Sequence, residues 1–317
     1  MKYNSKNMNQ KSIDLSIVIV STNIEDLLRK CLRSIAPAIK GLNAETIVVD
    51  NASSDRTPEM VAKEFPWVKL IRKYKNHGFG QNNNYGMKMA KGRYILLLNS
   101  DTLILGNKIF REMVSWMDEH PKVGVSTCAL LNSDKVTLQG SGGFFPTLPK
   151  VFAWMTFIDD IPGIDILIKP YHPLHGWSPL YTGESYFKKP HRQDWVTGAY
   201  FMMRKSAMNE AGLFDEDFFL YVEEAELSYR FVKKGWEVWY LPEWKIIHYG
   251  SVTIGSERAM VYELQNIKLF YKKHYPKWQL PILTFILKFG AVLRMIVFGV
   301  LKGFKVAKIY AKAFQAI

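Results

Sequence analysis

Four short apolar runs, with helical patterns between them, organise the first third of the chain. Residues 15–20 (LSIVIV) are apolar and β-branched without alternation, the pattern of a strand covered on both faces of a parallel sheet. Residues 25–35 then carry Leu27, Leu28, Cys31, Leu32 and Ile35 at helical spacing. The pattern continues with strands over 46–49, 68–72 and 94–98 and helices over 57–65 and 83–90. Strand and helix in turn predict a doubly wound α/β unit. Ligands of such a sheet bind beyond the carboxyl ends of its strands. Three of these strands run straight into polar residues: Ser21, Thr22 and Asn23; Asp50 and Asn51; Asn99, Ser100 and Asp101. All are expected on one rim.

Between 140 and 190 the periodicity fades into glycine, proline and aromatic residues, among them Trp154, Tyr171, Trp177 and Tyr181. This reads as an insertion or lid with short helices. Order returns over 194–204 (DWVTGAYFMMR), with helices predicted over 206–211 and 223–234, a strand over 237–240 before Pro242, and a short one over 246–248. From 280 onward, a helical wheel puts Lys288, Arg294, Lys302, Lys305, Lys308 and Lys312 on one half, and Gly290, Gly299 and Gly303 predict breaks. A basic, apolar-faced helix pair reads as an anchor lying on an anionic membrane surface. A packing arm or a homodimer interface is the competing reading. Lys288 and Arg294 interrupt the longest apolar stretch, 280–301, which argues against a spanning helix.

Composition narrows the classes. With 317 residues, 48% of them hydrophobic, the chain can bury a real core as one large or two fused domains. The net charge of +13 points to a polyanionic partner: nucleic acid, an anionic membrane face or a phosphorylated substrate. No nucleic-acid-binding motif accompanies the charge, and the basic residues gather in the tail, so nucleic acid is not expected. Only Cys31 and Cys128 occur, which excludes a disulfide framework and suits two small buried hydrophobes. Residues 1–12 are polar with no apolar core, so the chain is expected to stay in the cytosol.

The rim residues carry the candidate chemistry. Asp50 directly follows a buried strand, where its carboxylate can accept hydrogen bonds from a base or ribose, although Asp50-Asn51 can equally open a turn. Asn99-Ser100-Asp101 offers oxygen ligands for a hard divalent cation such as Mg²⁺ or Mn²⁺, which neutralises a departing diphosphate. Residues 76–86 (NHGFGQNNNYG) combine glycines, which permit close backbone approach, with asparagine amides in a first helical turn. Further on, Glu223, Glu224 and Glu226 place three acids in four residues, with Glu223 and Glu226 on one helical face. A solvated helix start with Glu226 paired to Arg230 explains the acids but not the aromatic run before them. His248 follows a strand, and Trp195 lies three residues before Gly198.

Taken together, these segments resemble the family 2 glycosyltransferases of the GT-A fold, over roughly 15–248. Asn99-Ser100-Asp101 is similar to the N-x-D form of the family's DXD motif, and residues 76–86 to the N-x-G-F-x-x-x-N-N-x-G segment of its rhamnosyltransferase-like branch. Residues 212–227 (GLFDEDFFLYVEEAEL) resemble G-x-F-D-E-x-F-F-x-Y-x-E-D-x-D-L, with Glu224 and Glu226 where aspartate is usual.

The resemblance implies a Rossmann-like, mostly parallel sheet with a C-terminal amphipathic helical extension. It places the donor nucleotide against Ser21, Asn23, Asp50, Asn51, Gly78, Phe79, Asn83, Asn99 and Asp101. It assigns the metal to Asp101 and His248, the catalytic base to Glu224, and acceptor contacts to Trp195 and Glu223. Inverting transfer from a nucleotide sugar, dTDP-rhamnose or a UDP-sugar, to a saccharide or polyprenyl-linked saccharide follows from the same likeness. The expected division is a catalytic domain over 13–255, with a nucleotide-sugar half to 130 and an acceptor half from 131, then a membrane-associating region over 256–317 on the inner face of the cell membrane. A sugar nucleotidyltransferase lacks support because Ser21-Thr22-Asn23-Ile24-Glu25 stands where that class resembles a glycine-rich loop. A catalytically inactive membrane-bound scaffold is the non-enzymatic alternative.

Overall fold

The computed structural model describes residues 12–175, 178, 180–250 and 256–317. The expectations that touch residues 1–11, Trp177 and Ser251 lie outside the described residues. The first part of the chain alternates as expected: β1 (Leu15–Ser21), α1 (Glu25–Ala38), β2 (Ala44–Asn51), α2 (Thr57–Glu64), β3 (Val68–Lys73), α3 (Phe79–Met89) and β4 (Tyr94–Leu98). Next come β5 (Thr102–Ile104), α4 (Ile109–Glu119), β6 (Val123–Leu131), β7 (Leu138–Gln139) and β8 (Gly142–Gly143). The 140–190 segment holds α5 (Leu148–Met155), a 3-10 turn (Ile158–Asp160), α6 (Ile164–Leu167) and a second 3-10 turn (Glu184–Lys188). Then follow β9 (His191–Arg192), β10 (Trp195–Val196), β11 (Tyr200–Arg204), α7 (Lys205–Ala211), α8 (Glu223–Lys233) and β12 (Glu237–His248). The C-terminal helices are α9 (Ser256–His274), α10 (Gln279–Lys302) and α11 (Phe304–Ala316).

The main sheet runs β3-β2-β1-β4-β11-β6-β12-β5, with β7 on β6 and β9 on β12. Strands β1 to β4 pair in parallel, whereas β11 is antiparallel to both β4 and β6. Apolar residues line both faces. Leu15, Ile17 and Ile19 pack with α1 and α4, while Val18 packs on the other face with Met87 of α3 and Leu227 and Phe231 of α8. That double covering is why β1 reads as an unbroken apolar run. Both cysteines are free and fully buried, as small core residues, and burial pushes the Cys31 thiol up to about 12.

Two strands predicted separately, 237–240 and 246–248, are one strand, β12. Its pairing with β6 shifts register between Leu241 and Lys245. Pro242 has no N–H to give the ladder, and the strand slips past it in a bulge instead of ending.

The C-terminal region departs furthest from expectation. Helix α10 continues through Gly290 and Gly299 and stops only at Gly303, where φ is 87°. At Gly290 a Cβ would lie 2.4 Å from the Cβ of Met155, so the glycine is a close contact with α5 and not a break. Arg294 does not join an exposed basic face: it is 4% exposed, and its guanidinium donates to the carbonyls of Trp154 and Met155. Lys288 is half-buried, its ammonium 5.1 Å from the centre of the Phe314 ring. What α10 turns outward is a stripe of Ile282, Phe285, Phe289, Val292, Ile296 and Val300. By length and composition, this helix is long and apolar enough to cross a membrane.

Candidate active site

The polar residues after the parallel strands do gather on one rim. Asp50 ends β2 almost fully buried; its Oδ2 accepts the Ser53 N–H at 3.3 Å, and its Oδ1 has no hydrogen-bond partner among the described residues. Ser21 Oγ is likewise buried without a partner among the described residues. Asn23 holds φ at 49°, and its Oδ1 accepts the Ser54 N–H at 2.7 Å, which fastens the β1 loop to the β2 loop. Asn51 is bonded through both ends of its amide, donating to Asn76 Oδ1 at 3.0 Å and accepting the His77 N–H at 2.9 Å.

The asparagine run after Gly78 does more than open α3. Asn82 reaches back to the carbonyls of His77 and Gly78, and Asn83 to that of Phe79 at 3.0 Å. Asn84 bonds both backbone groups of Phe214 and Glu216 Oε1, each at 3.0 Å, and the Phe79 N–H donates to the Phe219 carbonyl at 3.0 Å. The rim loop at 76–84 is thereby tied to the loop before α8.

Asn99, Asp101 and His248 converge where β4 and β12 end and β5 begins. His248 pairs with Thr102 in the β5–β12 ladder, which carries its ring to the rim. Its Nε2 lies 3.3 Å from Asp101 Oδ1 and 3.1 Å from the Asn99 amide. Its Nδ1 lies 2.7 Å from Gln139 Oε1, and the Gln139 amide donates to the His248 carbonyl at 2.6 Å and to Asn132 Oδ1 at 2.8 Å. With Gln139 Oε1 as acceptor, the proton belongs on Nδ1, and the Nε2 lone pair faces Asp101. The Asn99 amide N–H at 3.1 Å is the donor that this lone pair has in the structure, and the Asp101 carboxylate lies beside the pair. This oxygen and nitrogen donor set fits a divalent cation such as Mn²⁺. Gln139, in a two-residue strand, carries no signal that spacing could reveal.

A second focus lies around Glu224 at the start of α8. Its Oε1 accepts the Gly198 N–H at 3.0 Å, and the neighbouring Ala199 carbonyl accepts the Asn99 N–H at 3.1 Å. At Gly198 a Cβ would fall 2.5 Å from Phe79 Cζ and 3.0 Å from Glu224 Oε1, so a side chain there would have to displace the Phe79 ring. Glu223, 1% exposed, has Oε2 without a partner among the described residues. Burial, then the charge of Glu224, pushes Glu223 well above the ordinary carboxyl range; burial also raises Glu224, against the Gly198 N–H bond. Glu226 faces elsewhere: against the pull of burial, His274 at 3.0 Å and Arg230 at 2.8 Å hold it below its ordinary range.

Helix α8 starts from strained backbone. Tyr221 and Val222 hold φ at 67° and 69°, a region that costs β-branched valine most. Asn266 of α9 donates to the carbonyls of Leu220 and Tyr221 at 2.8 and 2.9 Å and holds this turn. Lys273 pairs with Asp215 and Asp217, both at 2.5 Å.

Beside Glu224 opens a cavity of about 260 Å³ walled by Trp195, Tyr171, His172, Tyr221 and Glu263. His172 meets Glu263 at 2.6 Å, and the Trp195 ring lies 5.8 Å from Tyr171 and 5.6 Å from His172. Glu263 comes from α9. Periodicity cannot reveal such a residue, since it reaches the cavity only through packing of the C-terminal helices.

The sequence profile described as "Glycosyl transferase family 2" matches residues 16–212. The chain belongs to this family. As a glycosyltransferase it is 22% identical over 282 residues to the N-acetylglucosaminyl-diphospho-decaprenol L-rhamnosyltransferase of Mycobacterium tuberculosis, covering 84% of this chain and 87% of that protein. It is also 26% identical over 268 residues to the O-antigen biosynthesis protein RfbC of Myxococcus xanthus, covering 83% of this chain and 19% of that protein. Among solved structures it resembles the mannosyltransferase PcManGT from Pyrobaculum calidifontis in complex with GDP-Man and Mn²⁺. There the TM-score is 0.56 at 14% identity, over 97% of this chain and 76% of that one. The glycosyltransferase thus has the GT-A fold, and its sequence is rhamnosyltransferase-like.

Removing the Asn266 amide frees two carbonyls at the strained turn. Asn266→Ala is expected to cost about 1–3 kcal/mol of stability and to lower kcat more than it weakens nucleotide-sugar binding. Denaturant melts and steady-state kinetics check this; unchanged kcat in a destabilised protein would separate the turn from catalysis.

Proposed function

We propose that this glycosyltransferase inverts the anomeric carbon of a nucleotide-activated sugar, dTDP-rhamnose or a UDP-sugar, and passes it to a lipid-linked or polysaccharide acceptor in cell-surface glycan synthesis. The observation that carries this reading is the Gly198-Ala199 segment, which bonds Glu224 on one side and Asn99 on the other. The relatives' names supply the chemistry of the substrates. In this reading Asp50, Ser21, Asn23 and Asn51 bind the nucleotide, and Gly78, Phe79 and Asn83 lie along the donor.

Asp101 and His248, with Asn99 beside them, hold the divalent cation, Mg²⁺ or Mn²⁺. When bound, it neutralises charge on the departing diphosphate. Glu224 takes the proton of the acceptor hydroxyl as that oxygen attacks the anomeric carbon and the carbon–oxygen bond to the diphosphate breaks. The Gly198 N–H bond favours Glu224 over Glu223 as the ionised member of the pair. Trp195 offers a face for the acceptor sugar, and His172 and Glu263 supply polar contacts from the opposite wall. Residues 13–255 form the catalytic unit in this reading, and 256–317 dock on the inner face of the membrane through the apolar stripe of α10.

Glu224→Gln is expected to abolish transfer while sparing donor binding, whereas Glu223→Gln keeps transfer. Because Glu223 is raised in the folded state, its ionisation opposes folding as pH climbs above the ordinary glutamate value of about 4.3. Glu223→Gln therefore gains stability at neutral pH. Transfer needs Glu224 ionised, so the acidic limb of kcat/KM lies above that same value and vanishes in no variant that keeps Glu224. Near-normal transfer in Glu224→Gln would remove it as the base.

A thermal-shift panel of nucleotide sugars with Mn²⁺ tests the donor reading; a donor at a hundred times its Kd stabilises by about 2.7 kcal/mol. Gln139→Leu is expected to raise the Mn²⁺ requirement roughly 10–100-fold. No response to any nucleotide sugar would sink the reading. For the membrane, the full chain should float with anionic vesicles, and Phe285→Asp/Phe289→Asp should stay in the soluble fraction while folding normally. Flotation of both would assign membrane contact elsewhere.

A further inference from the structure

Away from the rim, the 140–190 segment buries three ionisable side chains together. Asp159 and Asp160 end the 3-10 turn after α5, and His175 lies on the far arm of the segment, beyond α6. They are 1%, 3% and 4% exposed. One ligand atom from each lies within 4.8 Å of the others.

Their hydrogen bonding is incomplete in an informative way. Asp159 Oδ2, both carboxylate oxygens of Asp160, and His175 Nε2 have no hydrogen-bond partner among the described residues. His175 Nδ1 and Asp160 Oδ1 nevertheless approach to 2.6 Å. That approach is closer than an ordinary N–H···O bond, so the imidazole and the carboxylate meet side by side at one buried point. Buried carboxylates are stable only when paired or bound to a metal.

We propose that Asp159, Asp160 and His175 form a second, structural metal centre for a Zn²⁺-class ion, separate from the cation at Asp101 and His248. One imidazole and two carboxylates suit a borderline transition ion, whereas Ca²⁺ and Mg²⁺ favour six or more oxygens. Ligands of one such ion sit roughly 3–4 Å apart, so closing the cluster takes only small side-chain shifts. A bound ion would tie the arm ending at Asp160 to the arm carrying Tyr171, His172 and His175. Tyr171 and His172 wall the cavity beside Glu224. Arg294, bonded to the Trp154 and Met155 carbonyls, fixes the same segment to α10. The competing account of the cluster has no metal: a charged His175 and Arg294 neutralise both carboxylates.

The full chain with the rim site silenced, Asp101→Ala/His248→Ala, separates the two accounts. After incubation with Zn²⁺ and removal of free metal, it is expected to retain about one zinc per chain by elemental analysis. Loaded with Co²⁺ instead, it should show visible d–d absorption. Adding Asp160→Asn and His175→Gln should lower bound zinc at least roughly tenfold, with folding followed by near-ultraviolet circular dichroism. In the wild-type chain a chelator should lower the Tm, and Zn²⁺ but not Mg²⁺ should restore it. A folded rim-silenced chain that binds no zinc and gives no Co²⁺ spectrum overturns the proposal in favour of the ion-paired cluster. So does a wild-type Tm indifferent to the chelator.

Discussion

The bond between the Gly198 N–H and Glu224 is the constraint on which the site depends. It joins β11 and its approach to the start of α8, and it acts in a space where a Cβ at 198 would fall 2.5 Å from the Phe79 ring. One residue on, the Ala199 carbonyl takes the Asn99 N–H. Three segments distant in sequence, around 79, 99 and 224, are therefore set against a two-residue stretch of backbone. Backbone contacts of this kind leave little freedom for any one group to drift, which is what the proposed proton abstraction by Glu224 would demand.

Around that point the protein stabilises strain instead of avoiding it. Tyr221 and Val222 occupy left-handed backbone so that Glu223 and Glu224 emerge one after the other, the first into the interior and the second toward the cavity. The support comes from α9, through Asn266 to the turn, Lys273 to Asp215 and Asp217, and His274 to Glu226. The apolar contacts agree, since Phe218, Val222 and Ala225 share one cluster with Leu264, Ile267 and Phe270.

Much of the architecture was legible in the sequence because the physical signals are local. Apolar runs at 15–20 and 94–98 became β1 and β4 because both sheet faces are covered, and the polar residues after them fell on one rim. Glu226 also behaved as its i+4 spacing to Arg230 suggested. Two residues of the tail were misread because a helical wheel assigns faces without knowing what packs there. Arg294 looked solvated but is bonded to carbonyls of α5, and Gly290 looked like a break but is the space that Met155 fills. Gln139, His172 and Glu263 were illegible for a related reason: each matters only through a partner far along the chain, and a single sequence holds no record of such distances.

The placement of α9 changes what kind of object the C-terminal region is. A detachable anchor could be cut away or exchanged without touching chemistry. Here a chain ending before Ser256 would lose Glu263 from the cavity wall and Asn266 from the strained turn before α8 together with its apolar helices. In the proposed reading, the part that would meet a lipid surface and the part that lines the cavity beside Glu224 are continuous material, and neither has a seam at which to separate.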